Sequence, residues 1–510
     1  MSSLIVKGTR ADFVSALEKF DVVPVHGVVN SISTKPLDAL RKLGTMGEPS
    51  FIFESESPEE GASHYSFVCP SVETVVRTGE NEFLGDINPI EALRSQFDSR
   101  TVSPIDELPA LIVGAFGFVA YEAIKHFEPT VGELPADPTD SPVSAMAIPR
   151  ELLVFDHVFD QLHIVVLTRS SDGFDSASRR IEQICESLET SLPAASSTEH
   201  GSEAVDLTYF AKKSNYPSMV RRARKAIIDG DLIQVVLGQR IEKQTLANPI
   251  DIYEQLSTMN PSPYMYMIDL VDMQLIGASP ELMLRSTNGN AAVHPIAGTR
   301  PRGATAEEDL QYEADLLSNE KESAEHVMLV DLARNDLGRV SKPGTVQVKS
   351  LKHIERYSHV MHLVSRVESE LADDYDGIDA FQAGFPIGTL SGAPKIRSIQ
   401  LIAELEPEGR GPYCGGIGWF APNGDVDTGT IIRSIVLRNG TAHVQGGAGI
   451  VFDSDPDAEN IESLQKAKAP LLAIARAEAI PKATQKQHWR SSEKSSSDLP
   501  QPATMQLISD

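Results

Sequence analysis

The sequence is short of cysteine, of basic residues and of long apolar runs, and each shortage closes off a class of protein. There are three cysteines in 510 residues, Cys69, Cys185 and Cys414. None falls in a metal-ligand spacing, and so sparse an odd set offers no disulfide framework. A reducing, cytoplasmic setting is expected. Lys and Arg number 45 against 72 Asp and Glu, a formal net charge of −27. Nucleic acid and anionic membranes attract basic surfaces, so neither is an expected partner. An anionic substrate would need positive charge supplied locally by its site. The longest uncharged stretch, 108–121 ("LPALIVGAFGFVAY"), is shorter than the ~18–20 residues of a membrane-spanning helix. Pro109, Gly114 and Gly117 interrupt it, so it reads as a buried strand pair or strand-turn. The opening "MSSLIVKGTRADF" lacks the apolar core of a secretory signal. Internal repeats and heptads are also missing.

What remains is an ordinary globular composition, 41% hydrophobic, ample for a core. The length predicts two or three domains or one large two-lobed body. Residues 1–187 mix strand-like runs ("LLVFDHVFDQLHIVVLTRS", 152–170) with an amphipathic helix over 11–20. Residues 188–206 are rich in Ser, Ala and Glu and read as a linker or exposed loop. Residues 207–479 carry nearly all the dense motifs. The polar stretch 480–510 reads as a disordered tail. "RNG" at 438–440, between two strand-like runs, is a hairpin signal. Hairpins point to antiparallel sheet, so the expected class is α+β, with helices packed on antiparallel sheets.

Two glutamate pairs stand out. On a helix expected from about Ser318 to Arg334, Glu322 and Glu325 share a face. A second helix begins after Ser454 or Asp455 as N-cap, with Pro456 in its first turn. There Glu459, Glu462 and Lys466 share a face. Two such pairs could hold one hard divalent cation such as Mg²⁺, which takes oxygen ligands and keeps water or substrate oxygens in its other positions. Spacing alone equally describes two solvated faces. Three glycine-bearing loops, 295–303, 385–398 and 444–451, could cradle an anion on backbone N–H groups or be tight sheet turns. The middle loop lacks the spacing of a nucleotide phosphate loop. Glu281, His362, Tyr413 and Arg433 are candidate polar site residues in strand-like text.

Jointly the motifs say more. "PIAGTRPRG", "AEHVMLVDLARNDLG", "GTLSGAPKIRSIQLI", "GPYCGGIGWF" and "GGAGIVFDSDPDAENIESLQKA" resemble the chorismate-utilising enzymes over most of 210–475. Within them the chain is similar to the anthranilate synthase large subunits. The resemblance implies a two-lobed α+β fold, antiparallel sheets face to face with helices outside, and a reaction of chorismate. It implies Glu325 and Glu462 as principal Mg²⁺ ligands, with Glu322 and Glu459 beside them. It implies Lys466, Arg433, Tyr413, Thr389, Gly298, Thr299, Gly447 and Gly449 as substrate contacts. Glu281 becomes the general acid for the departing C4 hydroxyl, and His362 a proton-transfer or positioning residue. Relatives that add water carry a lysine in the strand here reading "LIQVVLGQR"; Gln234 stands in that place and suits ammonia. Relatives using a covalent lysine read "PIKGT" where this chain has Ala297.

"FIFES" (51–55) and "NPSPYMYMI" (260–268) resemble segments that bind tryptophan as a feedback inhibitor, which implies Glu54, Ser55, Pro263, Tyr264 and Met265 as its site. No cysteine lies in an amidotransferase motif, so glutamine would be used only with a separate amidotransferase subunit, in a hetero-oligomer. Asp331, Arg334, Asn335 and Asp336 in "VDLARNDLGRV" are expected to form a network orienting their helix. The alternatives are an enzyme that stops at aminodeoxyisochorismate, an aminodeoxychorismate synthase, disfavoured by Ala297, and a catalytically silent tryptophan-binding subunit.

Overall fold

The structure, a computed structural model, describes residues 4–30, 33–55, 64–105, 108–170, 173–190, 215–357 and 360–480. Most of the expected linker (191–206) and almost all of the expected tail (481–510) lie outside them.

Among the described residues twenty strands join into one hydrogen-bonded system whose ladders are all antiparallel. It is organised by where apolar side chains go. One core consists almost wholly of strand residues, including Phe51, Phe116, Val154, Tyr266, Leu275 and Trp419, and forms where two sheet faces meet. The rings of Phe51 and Phe116 stack there at 4.8 Å. Two further cores lie on the outer faces. On one, helices Pro36–Leu43, Gly173–Glu189, Pro249–Met259 and Pro456–Glu478 pack on the sheet. On the other, helices Pro89–Asp98, Glu320–Gly338 and Gly377–Gly384 do so. This is the expected α+β arrangement of face-to-face antiparallel sheets with helices outside.

The two halves of the chain do not form separate sheets. Ser50–Glu54 pairs with Tyr264–Asp269, and Ala115–Val119 pairs with Gly416–Phe420. The boundary near 187–207 is therefore a feature of chain order, and each half completes the other's sheet.

Local signals behave as their chemistry dictates. Asn439 and Gly440 both have positive φ and close the hairpin between Ser434–Arg438 and Thr441–Ile450, as a type I′ turn requires. Asp455 caps the Pro456–Glu478 helix by accepting from the backbone of Asp457 and Ala458. Other expectations shift. The stretch 108–121 is a 3₁₀ turn, Ala110–Val113, leading into the strand Ala115–Val119. The first helix is Arg10–Leu17. The glutamate helix starts later, at Glu320, because Asn319 interrupts the run and caps it through the Glu322 N–H. Tyr413 lies in a turn, and Arg433 between strands.

Arg410 ties the interior together. It is 2% exposed and donates to both oxygens of Glu406 (2.9 and 2.7 Å) and to the carbonyls of Leu390 and Val236. Its guanidinium also lies 4.7 Å from the ring centre of Tyr121 and 5.9 Å from that of Tyr413. Removing one partner of a buried ion pair costs about 3–5 kcal/mol because the other charge stays buried alone. Arg410→Ala is accordingly expected to lower the midpoint of thermal and denaturant unfolding sharply. Arg397→Ala, which breaks a solvent-facing pair with Glu404, should leave it nearly unchanged.

Candidate active site

Sequence-distant segments meet at one cleft. Glu281 sits in a two-residue break between strands Met273–Ser279 and Leu282–Thr287, and its carboxyl is buried. Burial pushes its pKa up to about 7, a rise that the hydroxyls of Thr389 and Thr430 and the charge of Lys466 only partly offset. Near neutral pH this group can hold and give up a proton. Lys466, on the helix Pro456–Glu478, pairs with Glu462 at 2.8 Å, and its carbonyl accepts from Arg433 at 2.6 Å.

Arg433 has φ +53, a left-handed conformation costly for a side chain of this size. Burial lowers its pKa against the pull of Tyr413 and Glu462. Among the described residues its hydrogen bonding ends at the Lys466 carbonyl, which leaves a desolvated cation short of anionic partners. His362 accompanies it. Burial lowers the His362 pKa, with the Gly298 backbone opposing and Arg433 adding to the effect. Its Nδ1 lies 3.0 Å from the Thr299 hydroxyl.

The glycines at this cleft are there for space. A Cβ on Gly449 would lie 2.7 Å from Nε2 of Gln234. One on Gly447 would meet the Leu237 carbonyl at 2.5 Å and the Tyr413 hydroxyl at 2.9 Å. Gly298, at φ +62, leaves room for Leu316 and the Glu322 carboxylate. Gln234 is buried; its Nε2 donates to Glu325 at 2.8 Å, and its Oε1 is buried without a partner. A buried amide oxygen of this kind favours a hydrogen-bond donor beside it.

The carboxylates are not gathered into a ready-made metal centre. Glu325 holds Gln234, Glu322 pairs with Arg300 at 3.2 Å, and Glu462 pairs with Lys466. Glu459 lies one helical turn before Glu462. Among the described residues no three His, Cys, Asp or Glu side chains cluster closely enough to bind an ion by themselves. The donor chemistry nevertheless suits Mg²⁺. All four are carboxylates on two helices, and this ion uses one or two protein carboxylates together with substrate and water oxygens.

A separate cavity, partly open to solvent, lies near the junction of the two halves of the chain. Glu54, Ser55, Pro263 and Tyr264 line it; Met265 does not. Met265 follows Tyr264 on a strand, so its side chain points to the opposite face, where it packs with the core of Ile52 and Met267. Sequence reading missed Asp427, which accepts from the Tyr264 hydroxyl at 2.6 Å and from Arg285 at 2.8 Å. No local signal could have found a contact 163 residues apart. The expected network in "VDLARNDLGRV" needs correction. Asp331 and Arg334 are exposed and pair with each other, and Asn335 is exposed. Only Asp336 turns inward, to Lys395 at 2.8 Å. A helix has one inner stripe, and 331, 334 and 335 fall outside it.

Residues 48–472 match the family model described as chorismate binding enzyme. The chain belongs to this family. Within the family it is 41% identical to anthranilate synthase component 1 of Streptomyces coelicolor, over 92% of each chain. It is 39% identical to a probable anthranilate synthase component 1 of Schizosaccharomyces pombe, over 91% of this chain and 95% of that one. Among solved structures, anthranilate synthase component I from Streptococcus pneumoniae superposes with a TM-score of 0.70 at 34% identity, covering 81% of this chain and 94% of that one. The menaquinone-specific isochorismate synthase of Escherichia coli shares the fold, with a TM-score of 0.66 at 18% identity and coverage of 91% and 98%. Among the described residues no helix is long and apolar enough to cross a membrane.

If Glu281 donates the proton in the family reaction, kcat/KM should fall as pH rises through about 7, because the acid form is lost there. Glu281→Gln should abolish that limb of the profile and lower the rate by roughly 10²–10⁴. A limb that persists in the variant would assign the titration to another group.

Proposed function

We propose that the chain is the large subunit of an anthranilate synthase. It converts chorismate and ammonia to anthranilate and pyruvate, with Mg²⁺, and is inhibited by tryptophan. The observation that carries this reading is Gln234, whose unpaired buried Oε1 presents a hydrogen-bond acceptor, and no cationic base, to the incoming nucleophile. Ammonia carries its own donors and needs no base to become nucleophilic, whereas water does.

In the proposed reaction ammonia adds at C2 of the ring while Glu281 gives its proton to the departing C4 hydroxyl, which leaves as water. Loss of pyruvate then aromatises the ring. Arg433, Lys466 and the Tyr413 hydroxyl bind the carboxylates, and the backbone at Gly447 and Gly449 lets them approach. Thr299 positions His362, and Thr389 lines the same pocket as Glu281. Glu325 and Glu462, supported by Glu322 and Glu459, would hold Mg²⁺, which when bound supplies positive charge to the ring carboxylate. The ammonia comes from glutamine through a separate amidotransferase subunit. Tryptophan occupies the cavity lined by Glu54, Ser55, Pro263 and Tyr264.

The test is direct. The purified chain is incubated with chorismate, Mg²⁺ and an ammonium salt at mildly alkaline pH, and anthranilate fluorescence is followed with and without tryptophan. Fluorescence that tryptophan suppresses is expected. Chorismate consumed without fluorescence would mean that the enzyme stops at the aminated intermediate; chorismate untouched would remove the enzymatic reading. Ser55→Phe, which fills the cavity wall, should abolish suppression while turnover continues.

A further inference from the structure

The regulatory cavity touches the active site from behind at two places, both next to groups that handle protons. Pro280 and Leu282, the residues on either side of Glu281, both line it. Leu282 also lines the second, more enclosed cavity into which Glu281 and Thr389 face. The other contact is Tyr357. Its ring lines the regulatory cavity and packs edge-on against His362, 5.6 Å between ring centres and 61° between planes. Its hydroxyl donates to Glu355 at 2.8 Å. Glu355 is a cavity residue too, and it is the register partner of His362 across the Gln347–Arg356 and Val360–Glu370 strands. His362 in turn pairs with Thr299 on its other side. One aromatic ring therefore stands between the cavity and the histidine of the cleft.

We propose that Tyr357 is the positioning residue through which occupancy of this cavity acts on the active site. The inference rests on the reading of the cavity as a tryptophan site. The incoming indole and the Tyr357 ring compete for the same apolar space. A ring displaced by the ligand gives up its edge-on packing with His362 and its hydroxyl bond to Glu355, so the histidine keeps its Thr299 partner but loses the ring that packs against it. The adjoining Pro280–Leu282 segment carries the same displacement to Glu281. Tyr357 itself is outside the chemistry.

Two variants test this, with tryptophan binding measured by calorimetry and inhibition measured by anthranilate fluorescence. Tyr357→Phe keeps the ring on His362, and its inhibition should stay close to wild type. In Tyr357→Ala tryptophan should still bind, while the ratio of inhibition constant to dissociation constant rises by about ten-fold or more, within the usual range of coupling between sites. Linkage is reciprocal, which gives a second readout. Chorismate without ammonia should weaken tryptophan binding to the wild-type chain, and that effect should disappear in Tyr357→Ala. If inhibition and binding move together in Tyr357→Ala, or if it no longer binds tryptophan, Tyr357 is only a wall of the pocket and the proposal is overturned. A wild-type chain that neither binds tryptophan nor is inhibited by it would instead remove the regulatory reading of the cavity.

Discussion

The buried Arg410–Glu406 pair is the interaction on which the rest depends. Two charges withdrawn from water are tolerated only when nearly every donor and acceptor is satisfied. Here the requirement is met by segments remote in sequence. Glu406 accepts from Gly238 on the Gln234–Gln244 strand as well as from Arg410. Arg410 reaches the carbonyl of Val236 on that strand and the carbonyl of Leu390 beside Thr389. Its own backbone N–H, and that of Gly411, donate to Glu122 in the N-terminal half. Two of the segments drawn in carry a residue of the cleft, Gln234 and Thr389, and Arg410's own segment carries Tyr413. The cost of leaving a charge unpaired thus fixes the relative positions of these side chains, although Arg410 bonds to none of them.

A protein with net charge −27 that takes up a dianion faces a related constraint. Long-range attraction is unavailable, so positive charge must be concentrated where the substrate lies. In the proposed site few groups would do this. Arg433 is held in a strained, desolvated position, and Lys466 is shared with Glu462. The same desolvation that lowers the Arg433 pKa raises that of Glu281. A single physical cause, removal from water, prepares both an anion site short of counter-charge and an acid that still holds its proton.

How much of this the sequence disclosed follows from the range of each signal. The Asn439–Gly440 hairpin and the Asp455 cap depend on residues within a few positions, and both were legible. The glycine loops read as anion cradles or tight turns, and neither reading named the side chains for which the glycines leave room. Gly449 answers to Gln234, 215 positions away by subtraction of the residue numbers. Met265 lies on the opposite side of its strand from Tyr264, because a strand alternates faces while a motif match assigns every residue in it alike. The charges of "VDLARNDLGRV" misled for a similar reason. A helix partitions such a motif between core and solvent, and only Asp336 was on the inner side. The glutamate helix was legible to within a few residues, expected from about Ser318 and found from Glu320 behind its Asn319 cap.

The Gln234–Glu325 hydrogen bond joins two roles that the proposed mechanism keeps separate. The amide that would receive ammonia and the carboxylate that would ligate Mg²⁺ hold each other at 2.8 Å. A lysine at 234 would put a cation there. It would strengthen the grip on Glu325 through a charged hydrogen bond and compete with a metal for the same oxygen. On the proposed reading, a substitution at 234 would alter the affinity for the ion together with the choice of nucleophile. The unpaired Oε1 is what keeps the two compatible, since a neutral amide can offer its acceptor to the nucleophile while its donor orients the ligand.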